Sequence, residues 1–257
     1  MLTKITLLSS LIFTSIYPLC FWISYKEPLK NGFHRFHLGL PTIVGGITLA
    51  FILPMNFSDF LKIQIFVWET ILLIVCLYYW KKDYPHCLVV TLPSLFGILI
   101  FLQFQSLWLK TTFESIFISI LSGTIFCSAL YAMNLGHWYL NVHGLPINHL
   151  RRAASVFWIL VTARFLWDLI YIFTRKIWFA EEEIAVYKFL FSLDGFLANL
   201  GILFGTLFPL ISLYFVKETI KLKNTQASTG ILYVILCAVI IGEMTYRYYL
   251  LKMGVCL

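Results

Sequence analysis

Residues 113–137 read FESIFISILSGTIFCSALYAMNLGH, and after Glu114 this stretch contains no charged side chain. A helix needs about 20 mostly apolar residues to cross the hydrocarbon core of a bilayer. The stretch reaches that length, so we predict that it forms a transmembrane helix.

The rest of the chain follows the same pattern. Of its 257 residues, 60% are hydrophobic and 12% are charged, which is about half the charged fraction of a soluble domain. Together with the first stretch, eight apolar runs are separated by charges or by Pro and Gly clusters. The runs are residues 5–24, 38–55, 61–80, 87–107, 113–137, 153–173, 187–215 and 230–250. We predict an all-α polytopic bundle of about eight spans, a single integral membrane domain over residues 1–257, and exclude a soluble globule.

The Lys and Arg residues of the connections predict an orientation. In the eight-span arrangement ten of them lie on one side of the membrane and seven on the other. The richer side, which also carries the histidine-bearing connections, is predicted to be cytoplasmic. This asymmetry accounts for the net charge of +7, so no nucleic-acid partner is expected. The expected partners are the lipid bilayer and other membrane subunits.

All the histidines fall in or beside odd-numbered connections, which an even number of crossings places on one side. His34 and His37 lie in the first connection, His86 in the third, and His137, His143 and His149 around the fifth. Neutral imidazole can ligate a metal or haem iron, hydrogen-bond a quinone, or pass protons. Asn134 lies one helical turn before His137 on nearly the same face. The candidate cofactor-binding residues are His34, His37, Asn134, His137, His143 and His149, with haem, metal and quinone all open. Interfacial histidines that cap helices are the structural alternative.

A short motif predicts an internal repeat. His37-Leu38-Gly39-Leu40-Pro41 and His143-Gly144-Leu145-Pro146 are similar, and each precedes an apolar run. Their offset of 106 residues is close to the offset between the first and fifth runs. Two tandem four-helix halves in the same orientation would follow, although a chance match of common residue types explains the motif equally well.

Charged residues inside the runs predict a polar layer within the bilayer. They are Glu69, Arg164, Asp168, Asp194, Glu243 and Arg247. Each is costly if it faces lipid, so all should point inward and pair. Arg164 with Asp168, and Glu243 with Arg247, have the i,i+4 spacing of helical ion pairs. Four acids against two arginines predict one or two protonated carboxyls, and hence a proton or ion path. Ion bridges that lock the spans are the alternative.

The seventh run carries a helix-packing motif. Gly201 and Gly205 form a G-x-x-x-G pattern, which allows another helix to approach closely. Pro209 follows and predicts a kink, because a proline interrupts helical hydrogen bonding.

Four functions remain open on these residues. The first is a redox or cofactor-binding membrane subunit that binds haem, metal or quinone at the histidine face. The second is a proton-coupled transporter of a small solute. The third is a membrane enzyme that acts on lipid headgroups, and the fourth is an accessory subunit without chemistry of its own. The sequence favours the first.

Overall fold

The protein is an all-α polytopic bundle, as the sequence predicts. The computed structural model describes residues 1–27, 29, 32–142, 144–179 and 181–257. In this part of the chain, eight helices are long and apolar enough to cross a membrane. They cover Leu2–Ser24, Phe33–Ile52, Asp59–Tyr79, Cys87–Ser106, Phe113–Asn141, Asn148–Thr174, Phe196–Lys221 and Thr225–Met253. The cytoplasmic placement of the histidine-bearing connections stays a prediction.

Regular elements follow one another closely along the chain. They are α1 (Leu2–Ile16), a 3₁₀ helix (Tyr17–Ser24), α2 (Phe33–Ile52), α3 (Asp59–Tyr79), α4 (Cys87–Ser106), α5 (Phe113–Asn141), α6 (Asn148–Thr174), β1 (Lys176–Phe179), β2 (Glu182–Ala185), α7 (Val186–Leu190), α8 (Phe196–Ile202), a π-helical turn (Leu203–Leu207), α9 (Phe208–Lys221) and α10 (Thr225–Met253). The two strands pair antiparallel as a short hairpin between the sixth and seventh spans.

Side-chain caps mark the beginnings of three spans. The Ser58 hydroxyl accepts the Leu61 N–H at the start of α3, and the Asn224 side chain accepts the Ala227 N–H at the start of α10. Thr112 and Ser115 form a reciprocal capping box at α5. These bonds satisfy N–H groups that a helix leaves unpaired in its first turn, so local sequence defines where these helices begin.

The eight spans fall into two compact units of four. The first unit contains Leu2–Trp108 and the second contains Leu109–Leu257. Within the first unit, each of α1 to α4 packs against the next, and α4 packs back against α1. Within the second, α5, α6, α9 and α10 follow the same cyclic order. The division after the fourth span agrees with the predicted four-helix halves, whereas the single membrane domain stays a prediction.

The motif behind the predicted repeat occupies different structural positions in the two units. His37 and Pro41 lie inside α2, whereas Gly144 and Pro146 precede α6. His143, the residue that would match His37, lies outside the described residues. The motif therefore does not mark equivalent turns, and the likeness between the units is one of helix order.

The seventh span begins later than the apolar run suggests, and this corrects the placement of Asp194. The membrane-length helix starts at Phe196, and Asp194 is exposed in the turn before it. A Cβ at Gly195 would lie 2.1 Å from the Phe189 carbonyl oxygen, so glycine allows the chain to fold back onto α7 here. The Tyr249 hydroxyl donates to the Asp194 carbonyl and holds the turn. Asp194 is therefore not a member of the intramembrane layer.

The core of the first unit is organised around Trp68 of α3. This side chain is 1% exposed, and its indole N–H donates to the Pro93 carbonyl of α4 at 2.8 Å. A Cβ at Gly97 would lie 2.4 Å from the Trp68 ring. The indole therefore packs directly on the α4 backbone, which places the neighbouring Glu69 on the side of α3 that faces the unit interior.

Candidate functional site: a buried ionic cluster

Polar side chains from all four spans of the second unit meet in its interior. We define the ionic cluster as Ser122, Arg164, Asp168, Thr206, Glu243, Tyr246 and Arg247. Asp168 lies six residues before the end of α6, or about 9 Å along the helix at 1.5 Å per residue. The described histidines of this unit lie at the other end of α6, where His149 is in the first turn, and at the adjoining end of α5, where His137 is in the last turns. Within this unit, Asp168 and Glu243 therefore lie away from the described histidines.

Arg164 is the central cation of the ionic cluster. Its side chain is fully buried, and Nε donates to Asp168 Oδ1 at 2.9 Å. Nη1 donates to the Ser122 hydroxyl of α5 at 2.5 Å, and the guanidinium lies 3.8 Å from the centre of the Tyr246 ring. The predicted i,i+4 pair is confirmed, and its guanidinium also links α6 to α5 and α10.

Asp168 receives two hydroxyl groups on its other oxygen. Oδ2 accepts from Thr206 Oγ1 at 2.9 Å and from the Tyr246 hydroxyl at 3.1 Å. The two hydroxyl oxygens are themselves 2.7 Å apart. A hydroxyl can both accept and donate a hydrogen bond, whereas an ionised carboxylate only accepts, so these three groups form one hydrogen-bonded chain that ends on Asp168.

Glu243 and Arg247 complete the ionic cluster from α10. Together with Ser122 and Tyr246 they line a small cavity of about 10 Å³, close to the smallest volume that holds one water molecule. Arg247 is buried and Glu243 is half-buried. Two acids and two arginines therefore share the interior of this unit, so the ionised cluster is close to charge-neutral.

The π-helical turn allows Thr206 to reach Asp168. It lies between α8 and α9 and ends two residues before Pro209, whose missing N–H and ring disturb the preceding turn. The predicted interruption of the span at Pro209 is therefore a π turn, a feature that occurs often at functional sites.

The predicted close approach at the G-x-x-x-G pattern is confirmed. A Cβ at Gly205 would lie 3.1 Å from the Gly242 Cα, and a Cβ at Gly242 would lie 2.2 Å from the Gly205 Cα. Gly201 packs on the side chain of Thr245. Backbone-to-backbone packing thus fixes the seventh span against α10.

Glu69 belongs to the first unit and does not take part in the ionic cluster. It lies at the middle of α3 and is 8% exposed. The four predicted acids therefore divide into two in the ionic cluster, one in the first unit and one, Asp194, in an exposed turn. The prediction that Asp194 belongs to the polar layer within the bilayer is wrong.

Two histidines of the first unit, His34 and His37, pack between helices. His34 and His37 lie in the first turns of α2, not in the connection before it. His34 Nε2 contacts the Tyr79 carbonyl at the end of α3 at 3.0 Å. His37 Nδ1 contacts the Tyr17 hydroxyl at 2.8 Å, and its ring stacks on Phe33 with 3.9 Å between centroids. Both imidazoles are buried between helices, as expected of packing residues.

The described histidines of the second unit differ in burial. His137 lies in the last turns of α5, as predicted, is exposed, and contacts the Tyr233 hydroxyl through Nδ1 at 3.2 Å. Asn134 is half-buried one turn earlier. His149 is buried in the first turn of α6. In each unit the described histidines lie towards one end, and a common side of the membrane for both ends stays a prediction.

A metal site is not formed by these side chains. Among the described residues, no group of three or more His, Cys, Asp and Glu side chains lies close enough together to hold a metal ion. The histidine contacts above involve hydroxyl and carbonyl groups and do not converge on one point. Haem and quinone stay predictions.

Comparisons with known proteins find no relative of this chain. No family model, curated protein or solved structure matches the chain.

The sequence alone did not identify the hydroxyl groups of the ionic cluster. Ser122, Thr206 and Tyr246 have residue types that are common in spans, and no spacing sets them apart. A signal existed only for Tyr246, which stands between Glu243 and Arg247 in sequence. Thr206 follows Gly205 directly, but its direction depends on the π turn.

Proposed function

We propose that the protein transfers protons across or within the membrane and that the ionic cluster carries them. The observation that supports this is the bonded group of Arg164, Asp168, Thr206 and Tyr246 in the interior of a transmembrane unit. Ionisable residues within spans are costly, and they commonly form proton relays. Proton transfer is also the step that the redox and transporter hypotheses have in common.

Two features favour transfer over a purely structural ion bridge. Hydroxyls 2.7 Å apart connect to the Asp168 carboxylate, whereas an ion bridge would need only the arginine. The small cavity beside Glu243 and Arg247 is close to the smallest volume that holds one water molecule, and it lies next to the second acid. Asp168 and Glu243 would then act as successive proton acceptors, and Arg164 would stabilise whichever is ionised.

The test is proton flux through the purified protein in liposomes that contain a pH-sensitive dye. A potassium gradient with valinomycin imposes the potential. We expect an initial rate well above that of empty liposomes. Asp168→Asn and Glu243→Gln should each lower this initial rate by about tenfold or more. A positioned proton-transfer group usually contributes even more than this to a rate.

The matched control is Glu218→Gln. Glu218 pairs with Lys221 near the end of α9, where both side chains are exposed. Proton flux through the Glu218→Gln variant should therefore equal that of the parent protein. A parent rate equal to that of empty liposomes would contradict the proposal. So would unchanged flux in a folded Asp168→Asn protein, since the ionic cluster would then be structural.

A second candidate, a quinone-dependent redox subunit, is favoured by one cleft in the first unit. The cleft has a volume of about 70 Å³ at the histidine end of this unit. Its lining residues are Phe21, Ser24, Tyr25, Leu29, Phe33, Tyr84, Pro85, His86 and Cys87. Mostly apolar lining residues with one imidazole among them suit a quinone ring, whose carbonyls need a donor. Binding of a short-chain quinone that is lost in His86→Ala would support this candidate, and equal binding to both proteins would end it.

A further inference from the structure

The Glu69 carboxyl is enclosed at mid-membrane depth without a partner for one of its oxygens. Glu69 lies ten residues from each end of α3, about 15 Å along the helix. The residue is 8% exposed, and within the described chain Oε2 has no hydrogen-bond partner. A buried polar atom without a partner is rare in native structures and calls for an explanation.

Adjacent glycines of α2 form the cradle of this carboxyl. A Cβ at Gly45 would lie 2.1 Å from Glu69 Oε2 and 3.0 Å from Thr14 Cγ2. The space that a side chain would fill at Gly45 is therefore taken by the carboxylate oxygen. A Cβ at Gly46 would lie 3.7 Å from Oε1, which is an ordinary contact. The carboxyl thus lies against the α2 backbone. Its position requires a glycine at Gly45 but not at Gly46.

Thr14 of α1 adds a second buried polar group. Its side chain is fully buried, and among the described residues Oγ1 has no hydrogen-bond partner. Most hydroxyls in these spans donate to the carbonyl four residues earlier, as Ser15 does to Leu11. The cradle therefore brings together two polar groups whose hydrogen-bonding capacity is incompletely used.

No cation of the described first unit compensates a charge at Glu69. The ion pairs of the described chain do not include it. On α2, the groups His34, Arg35 and His37 all lie two turns or more before Gly45. The titratable groups of the remaining packed elements stand at helix beginnings, in the 3₁₀ helix after α1 or on α3 itself. They are Lys4 on α1, Tyr17 and Cys20 on the 3₁₀ helix, Cys87 on α4, and Asp59, Lys62, Cys76, Tyr78 and Tyr79 on α3. The cations among them are Lys4, ten residues before Thr14, and Lys62, seven residues before Glu69.

An isolated carboxylate in this setting is unfavourable, because low-dielectric surroundings disfavour the charged form unless a cation or several donors stabilise it. A carboxylic acid, by contrast, is neutral and can donate its own proton to a nearby oxygen. We propose that Glu69 is a membrane-embedded proton-binding site. The reaction is a reversible protonation, in which the carboxyl releases one proton to water and the carboxylate takes one back. No electron or other reactant takes part.

This inference goes beyond the function proposed for the ionic cluster and does not depend on it. The two sites lie in different units. The ionic cluster has arginines beside its acids, whereas no cation of the described first unit compensates Glu69. Glu69 can therefore bind a proton even if the liposome experiment shows no flux, and the two results are measured separately.

The test is modification of the full-length protein in vesicles by a hydrophobic carbodiimide such as dicyclohexylcarbodiimide. This reagent reacts with protonated carboxyls inside the membrane and leaves a stable adduct that peptide mass spectrometry locates. At mildly acidic pH we expect an adduct at Glu69, with a rate that falls as the pH rises. Asp168 and Glu243 should be labelled about tenfold less, because nearby arginines favour their ionised forms.

Adjacent glycines provide matched variants. Gly45→Ala should displace the carboxyl from its cradle and lower the labelling several-fold, whereas Gly46→Ala should leave it unchanged. Glu69→Gln should abolish it, and this variant resembles the neutral acid closely enough to fold even if Gly45→Ala does not.

Two outcomes would overturn the proposal. The first is the absence of an adduct at Glu69 in folded protein under conditions that label a known membrane carboxyl. The second is protection by sodium chloride but not by choline chloride at the same pH, since a metal cation and not a proton would then occupy the cradle.

Discussion

The two units use the same order of four helices but hold buried acids in different ways. In the second unit, Asp168 is bonded to Arg164 and to two hydroxyls. In the first, Glu69 has one unpartnered oxygen and a glycine cradle. The difference shows that helix order alone does not determine how a membrane protein accommodates an acid. Compensation by a cation preserves the charge, whereas enclosure without one favours the neutral form.

The largest effect is expected from removal of the central cation. Arg164→Met leaves the Asp168 carboxylate buried without its ion pair, and breaking a buried pair costs about 3–5 kcal/mol. Thermal unfolding in detergent micelles should show a large loss of stability. Arg175→Met, which removes the exposed partner of Glu114, should cost no more than about 1 kcal/mol. Equal effects of the two substitutions would contradict the central role of Arg164.

Backbone packing in the second unit provides the next effect. In Gly242→Ala the new Cβ would meet the Gly205 backbone at 2.2 Å, and we expect a loss of about 1–3 kcal/mol from overpacking. Gly230→Ala lies on the same helix with no atom within 4 Å of its Cβ. That control should be neutral or more stable by about 0.5–1 kcal/mol. Stabilisation by both substitutions would argue against close contact between these helices.

The stability lost on removing one tyrosine hydroxyl from each unit compares a hydrogen bond to a charged group with a hydrogen bond between neutral groups. Tyr246→Phe removes a donor to the Asp168 carboxylate and should cost about 1.5–3 kcal/mol. Tyr17→Phe removes the contact with His37 and should cost about 0.5–1.5 kcal/mol. Unfolding of both variants by the same method gives the comparison. A larger loss for Tyr17→Phe would mean that Asp168 carries no charge.

The smallest effect is expected at Glu69. If its carboxyl is neutral, Glu69→Gln exchanges one neutral polar group for another and should change stability by about 0.5 kcal/mol or less. Asp168→Asn, the same acid-to-amide change in the second unit, leaves Arg164 unpaired and should cost about 3 kcal/mol. Equal costs at both positions would remove the distinction between the units.

Part of the ionic cluster could be predicted because it is local. The spacing of Arg164 and Asp168 places both on one helical face, and the ion pair follows from helix geometry. The G-x-x-x-G contact is similar, since small residues four apart form a flat strip on any helix. The hydroxyls of Thr206 and Tyr246 reach the same carboxylate from two other spans. Their directions depend on the π turn and on helix packing, which a single sequence does not encode as a pattern.

The wrong placement of Asp194 has a local cause that hydrophobicity conceals. Phe189, Leu190, Phe191 and Leu193 are apolar and stand directly before the helix that follows, so the run looks continuous. Tight folding of the backbone at Gly195 ends α7 and starts α8 separately. His34 and His37 show the reverse, because the helix extends further towards its N-terminus than its apolar residues indicate.

The sequence by itself determined the number of spans, the all-α class and the Arg164–Asp168 pair. Burial of apolar surface in a bilayer and helical periodicity act over neighbouring residues, so they can be read along the chain. Tertiary structure decided which acid has a cation beside it and which has only glycine and threonine. Charge compensation depends on distances between different helices, and residues far apart in sequence set those distances.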